Sequence, residues 1–138
     1  MTNTLIFGTF DKLHKGHIYF IKKAKEIAEQ NSKNEKQAKL FVVVARDENV
    51  EKIKGKTPAD QEMKRIMNVY LLGIAEKVIL GDRENFFRAI QEYKPNIICL
   101  GYDQDSQGLE EYIKEHKLNI EIKKIDSFEP ETYKSSKL

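Results

Sequence analysis

The chain predicts a single α/β domain, a doubly wound parallel sheet of five strands flanked by helices, and three observations predict it. Apolar runs recur at residues 5–7, 40–45, 78–80, 97–100 and 120–125. The first four are too short for helices and too continuous for a sheet with one wet face, so they read as buried parallel strands. Segments of helical period lie between the runs, the alternation of a βα architecture whose ligands bind at the carboxyl ends of strands. Finally, 138 residues with 40% apolar content are enough for one domain with a real core.

Taken in order, the first run passes into Gly8-Thr9-Phe10-Asp11-Lys12-Leu13-His14-Lys15-Gly16-His17, a strand-to-helix turn. A helix starting near His17 then collects Phe20, Ile21, Ala24, Ile27 and Ala28 on one face. Residues 31–37 are polar and without period, which predicts a surface loop remote from the turn. The second run closes on Val44-Ala45-Arg46-Asp47, and Lys52-x-Lys54-Gly55-Lys56 follows in what is expected to be a loop. Met63, Ile66, Met67, Tyr70 and Leu71 share the face of a second helix. A short third helix carries Phe86, Phe87 and Ile90 and ends before Lys94-Pro95, and a fourth carries Leu109, Tyr112 and Ile113. Residues 1–126 form the expected core. The polar segment 127–138, with Pro130, is a tail of the same domain, folded over the sheet edge or disordered without ligand.

Charged residues make up 33% of the chain with a net charge of only +2, which argues against an electrostatic nucleic-acid binder. The single Cys99 lies in Ile97-Ile98-Cys99-Leu100 and reads as a buried structural thiol. With no leader, no membrane-spanning run and no Cys/His metal cluster, the expected address is a reducing cytoplasm.

The turn after the first strand carries the chemistry. A helix beginning there directs unpaired backbone N–H groups and the positive end of its dipole outward, a ready site for phosphate. Gly8 and Gly16 allow close approach, and His14 and His17 add donors whose charge can be tuned near neutrality. The plain alternative makes both histidines ordinary polar residues on a helix shoulder.

Gly8-Thr9-Phe10-Asp11 followed by His14-x-Gly16-His17 resembles the signature of the cytidylyltransferase-like nucleotidyltransferases, whose fold is Rossmann-like, and the likeness extends over nearly the whole chain. It implies nucleotidyl transfer: an acceptor phosphate attacks the α-phosphorus of a nucleoside triphosphate and pyrophosphate leaves. By that resemblance His14 and His17 donate to the α- and β-phosphates, while Thr9 and Phe10 offer backbone contacts. Asp11 is an orienting acceptor or helix cap rather than a base, since a phosphate acceptor is already ionised. Lys52 or Lys54 holds the β- and γ-phosphates, although lysines so spaced also suit a solvated charge run. Arg65 helps to hold the phosphates, unless it is an exposed helix arginine. Gly101 and Asp103, in Gly101-Tyr102-Asp103-Gln104, contact ribose and base, or form a simple turn. Tyr133 stacks on a base, and Ser135 and Ser136 resemble the hydroxyl-rich closing motif.

Val42-Val43-Val44-Ala45-Arg46-Asp47, Lys52-Ile53-Lys54-Gly55-Lys56-Thr57-Pro58 and Leu100-Gly101-Tyr102-Asp103-Gln104 are most similar to the archaeal type of FAD synthase, in which ATP adenylylates FMN. The alternative is a CTP-dependent glycerol-3-phosphate cytidylyltransferase. Its closing motif begins with arginine where this chain has Glu129, a poor substitute for a phosphate-binding cation. A non-catalytic nucleotide-binding module is the alternative of another class. The resemblance further implies Mg²⁺ carried by the triphosphate, no metal cage of protein ligands, and a homodimer.

Overall fold

In a computed structural model that describes residues 2–34, 37–85 and 87–127, the chain runs β1 (Thr2–Gly8), α1 (Lys15–Gln30), β2 (Ala38–Val44), α2 (Asp47–Lys54), α3 (Glu62–Tyr70), β3 (Lys77–Leu80), α4 (Arg88–Tyr93), β4 (Ile97–Gly101), α5 (Gln107–Glu115) and β5 (Glu121–Ile125). The strands form one parallel sheet in the order β3-β2-β1-β4-β5. The order in which strands are added reverses at the β1/β4 boundary, the place where such sheets open a crevice for ligands.

β1, β2 and β4 are central and carry apolar side chains to both faces, as their unbroken runs require. On one face Ile6, Leu40, Val42, Val44, Ile97 and Cys99 pack against Ile21 and Ala24 of α1 and Val69 of α3. On the other, Leu5, Phe7, Phe41, Val43, Ile98 and Leu100 pack against Ala89 and Ile90 of α4 and Leu109 of α5. Cys99 is fully buried, and burial pushes its thiol up to about 12, so it serves as a small hydrophobe. β3, expected as a buried strand, is an edge strand in which Lys77 is exposed and Val78, Ile79 and Leu80 are only half-buried.

Three local expectations change. α1 begins at Lys15, with His14 as its cap, rather than near His17. Residues 47–54 form helix α2 and not a loop. Asp47 and Glu48 in its first turn and Lys52 and Lys54 in its last complement the helix dipole, and Gly55 closes it at φ 76°. Most of the expected apolar stripe of α3 faces outward: Met63, Met67, Tyr70 and Leu71 are exposed, whereas Ile66 packs against the core beside buried Arg65 and Val69. The inner face of the helix is shared with a buried arginine that makes three hydrogen bonds, a placement its hydrophobic periodicity does not indicate.

Candidate active site

The first turn of α1 is capped by imidazole. His14 Nδ1 accepts from the Gly16 N–H at 3.1 Å, and His17 Nδ1 accepts from the His14 N–H at 3.2 Å. Each ring therefore satisfies a backbone donor that helix geometry leaves without a partner. A nitrogen that accepts a hydrogen bond carries no proton, so each neutral ring has its proton on Nε2. The rings stack with centroids 3.7 Å apart and planes 21° from parallel, an arrangement that two charged rings would oppose. The helix amino end thus offers two aligned Nε2–H donors.

The residues around the pair follow from it. A side chain at Gly16 would meet His14 Cε1 at 3.0 Å, so glycine lets the capping ring lie on the helix. The Phe10 ring is buried and meets His17 edge-to-face, with centroids 5.6 Å apart at 72°. Phe10 folds back over β1, where a Cβ on Gly8 would come within 2.7 Å of its ring. Phe10 (φ 54°) and Lys12 (φ 48°) hold left-handed backbone that ordinary residues avoid, strain of about 1 kcal/mol or more each that surrounding contacts must sustain.

Those contacts come from the next loop. The Asp11 carboxylate accepts from the Ala59 and Asp60 N–H groups, both at 2.8 Å. Burial raises the Asp11 pKa, but those two bonds together with Arg65 and Lys12 outweigh it and hold the group below its ordinary value. Arg65, expected at the phosphates, is fully buried and occupied by the protein. Its guanidinium donates to the Thr9 carbonyl at 2.8 Å, the Asp60 carbonyl at 3.0 Å and Asp47 Oδ1 at 2.6 Å. Asp47 and Glu62 exchange backbone-to-carboxylate bonds that fasten α2 to α3. The Thr9 carbonyl is consequently engaged by arginine, and the Phe10 ring packs against His17.

Lys54 ends α2 close enough for its charge to act on His17. Lys52, two positions earlier, lies about 200° around the helix, and both side chains are exposed. At the neighbouring strand end, Gly101 closes β4 and its N–H donates to Gln104 Oε1 at 2.7 Å, with Asp103 exposed beside it. Residues Asp47, Glu62 and Gln104 had no role read from the sequence. Gln104 follows Asp103 directly, and nothing in its spacing points to where its side chain goes. Tyr133, Ser135 and Ser136 lie outside the described residues. An open basin of about 500 Å³ adjoins the loop, lined by Lys12, Leu13, Asp60, Lys64, Asn68 and Leu71. Among the described residues no group of three His, Cys, Asp or Glu side chains is placed to hold a metal, and no helix is long and apolar enough to cross a membrane.

The chain belongs to the cytidylyltransferase-like family, whose model matches residues 5–138. It is 39% identical over 127 residues to a protein named FAD synthase from Methanosarcina barkeri, covering 91% of this chain and 84% of that one. It is likewise 39% identical over 138 residues to the FAD synthase of Archaeoglobus profundus, covering 99% and 82%. Among solved structures it resembles a lipopolysaccharide core biosynthesis protein from Thermoplasma volcanium, with a TM-score of 0.79 and 32% identity over 94% of this chain and 99% of that one. Pantothenate synthetase from Thermus thermophilus, with a TM-score of 0.60 at 11% identity over 95% of this chain and 58% of that one, shares the fold.

Burial, followed by the charges of His14 and Lys54, lowers the His17 pKa to about 4 against the nearby Asp11. Between pH 4 and its ordinary value of 6.5, the unfolded chain binds a proton that the folded chain does not. Stability therefore rises with pH across that window, is level above it, and is lost as pH falls. NMR titration of the His17 ring should give a midpoint near 4, and His17→Gln should flatten the dependence of the urea midpoint over the same range. A midpoint near 6.5 would contradict a ring held neutral by the cap.

Proposed function

We propose that this chain is a cytoplasmic ATP:FMN adenylyltransferase, an FAD synthase. The observation that carries the transfer chemistry is the pair of Nε2–H donors at the amino end of α1. The choice of FMN is supported by the relatives named FAD synthase, matched over most of both chains. An FMN phosphate oxygen forms a bond to the α-phosphorus of ATP as the bond from that phosphorus to the bridging oxygen breaks, and pyrophosphate takes the electron pair. No protein nucleophile or base is required, because the acceptor is already an anion. Catalysis rests on alignment and on neutralising charge as it grows.

In this reading His14 and His17 donate to the α- and β-phosphates, and being neutral they do so without a change of protonation. Gly8 and Gly16 leave room for the phosphate chain. Lys54 holds the β- and γ-phosphates, with Lys52 reinforcing the field, and Gly101 and Asp103 meet the ribose. Arg65 and Asp11 are positioning residues, acting on the phosphate loop through the Thr9 carbonyl and through residues 59–60. Tyr133, Ser135 and Ser136, which lie outside the described residues, are nucleotide contacts by the family resemblance alone. The basin beside Lys12 and Lys64 suits an acceptor that combines phosphate with an apolar ring system. No cage of His, Cys, Asp or Glu is formed among the described residues, so a divalent ion such as Mg²⁺ would be held by the triphosphate itself and would supply charge neutralisation there.

We also propose a homodimer, supported by the row Met63, Met67 and Tyr70, which are 65%, 51% and 64% exposed on one face of α3. Sedimentation at working concentration should give twice the chain mass, and Met67→Lys should shift it to one chain. A monomeric wild type overturns the dimer alone.

Mass spectrometry of products from ATP or CTP offered FMN or glycerol 3-phosphate should find FAD from ATP and FMN. His17→Ala should lower kcat about 10²–10³-fold while ATP binding weakens far less. Product from CTP and glycerol 3-phosphate alone overturns the flavin reading, and equal losses in turnover and binding overturn a transition-state role for His17.

A further inference from the structure

At the point where the sheet order reverses, β1 and β4 part before they end. Their paired register stops at Ile6 opposite Cys99, although β1 continues to Gly8 and β4 to Gly101. The gap is spanned by the Gln104 side chain. Its Nε2 donates to the Phe7 carbonyl at 3.1 Å and its Oε1 accepts from the Gly101 N–H at 2.7 Å. A carboxamide has the donor and acceptor of a peptide group, so it replaces a rung of the ladder and keeps the strands a side chain apart. Lys124, at the end of β5, fixes the same residue from outside by donating to the Gln104 carbonyl at 2.6 Å. Gly101 completes the device, since a Cβ there would sit 3.3 Å from Asp103 Oδ1 and 3.5 Å from Gln104 Oε1.

We propose that Gln104 is a positioning residue that holds the β1/β4 crevice open for the nucleoside end of the triphosphate. The inference rests on the nucleotidyl-transfer reading. The phosphate donors stand at the end of β1, so a triphosphate held there directs its sugar and base toward a neighbouring strand end. On the β4 side that end is the crevice Gln104 spans. With its amide bonded to Phe7 and Gly101, those backbone groups are satisfied and do not pull the strands together. The Gly101–Asp103 turn is thereby set at the rim, facing the sugar. Gln104 does not touch the phosphates, and its loss should be felt by the nucleoside alone.

Calorimetric titration with ATP and with inorganic tripolyphosphate, which is a phosphate chain lacking a nucleoside, separates the two ends. Gln104→Ala should weaken ATP about tenfold, the scale of one or two lost hydrogen bonds, and leave tripolyphosphate within about twofold. Gln104→Glu keeps the length and the acceptor toward Gly101 but sets an oxygen against the Phe7 carbonyl. It should show the same selective loss at neutral pH, and it serves should the alanine variant fail to fold. In turnover the loss should appear in the KM for ATP while the KM for FMN stays put. Equal weakening of both ligands, or of neither, overturns the proposal. A wild-type protein that binds neither ATP nor tripolyphosphate overturns the nucleotidyl-transfer reading, and this inference with it.

Discussion

The site is organised by a helix cap made of two imidazoles. Most helices meet their unpaired first-turn N–H groups with a hydroxyl or a carboxylate. Here His14 and His17 take that role with Nδ1, and the same bonds commit Nε2–H to face outward. One set of contacts ends the loop, starts the helix and fixes the tautomer of both rings. Several neighbouring residue types follow: Gly16 beneath the His14 ring, Phe10 against His17, and Gly8 beneath Phe10. Substituting an ordinary cap would preserve the helix and remove the donors.

Holding that loop has a cost, carried by strained backbone at Phe10 and Lys12. The compensation is polar and lies out of view of a ligand. Arg65 is removed from water and would be expensive to bury without partners. It has three, drawn from the loop after β1, the approach to α3 and the start of α2. Asp11 adds two backbone bonds across the same seam. These bonds tie the loop after β1 to the starts of α2 and α3, with Arg65 joined to the histidine loop through the Thr9 carbonyl.

The sheet was legible because buried parallel strands leave unbroken apolar runs, and β1, β2 and β4 lie where the runs at 5–7, 40–45 and 97–100 put them. The turn was legible because glycine and histidine are grouped there in a specific string. What could not be read depended on partners distant in sequence. Arg65 looks like any helix arginine until residues 9, 47 and 60 surround it, and with Arg65 inside, Met63 and Met67 face outward. α2 carried its signals openly, acidic residues first, basic residues last and Gly55 after, but its many charges suggested a loop. Gln104 stood beside Asp103 without distinction, because its role is a tertiary bridge to residue 7, 97 positions away.

The claim on which the mechanism stands is that both imidazoles are neutral, with the proton on Nε2, before any ligand arrives. Long-range ¹H–¹⁵N correlation spectra of the histidine rings at neutral pH report this directly, since protonated and bare ring nitrogens resonate far apart. The account predicts Nδ1 bare and Nε2 protonated in His14 and His17 alike. A proton on Nδ1 of either ring would contradict it, because that nitrogen would no longer accept the backbone N–H that defines the cap.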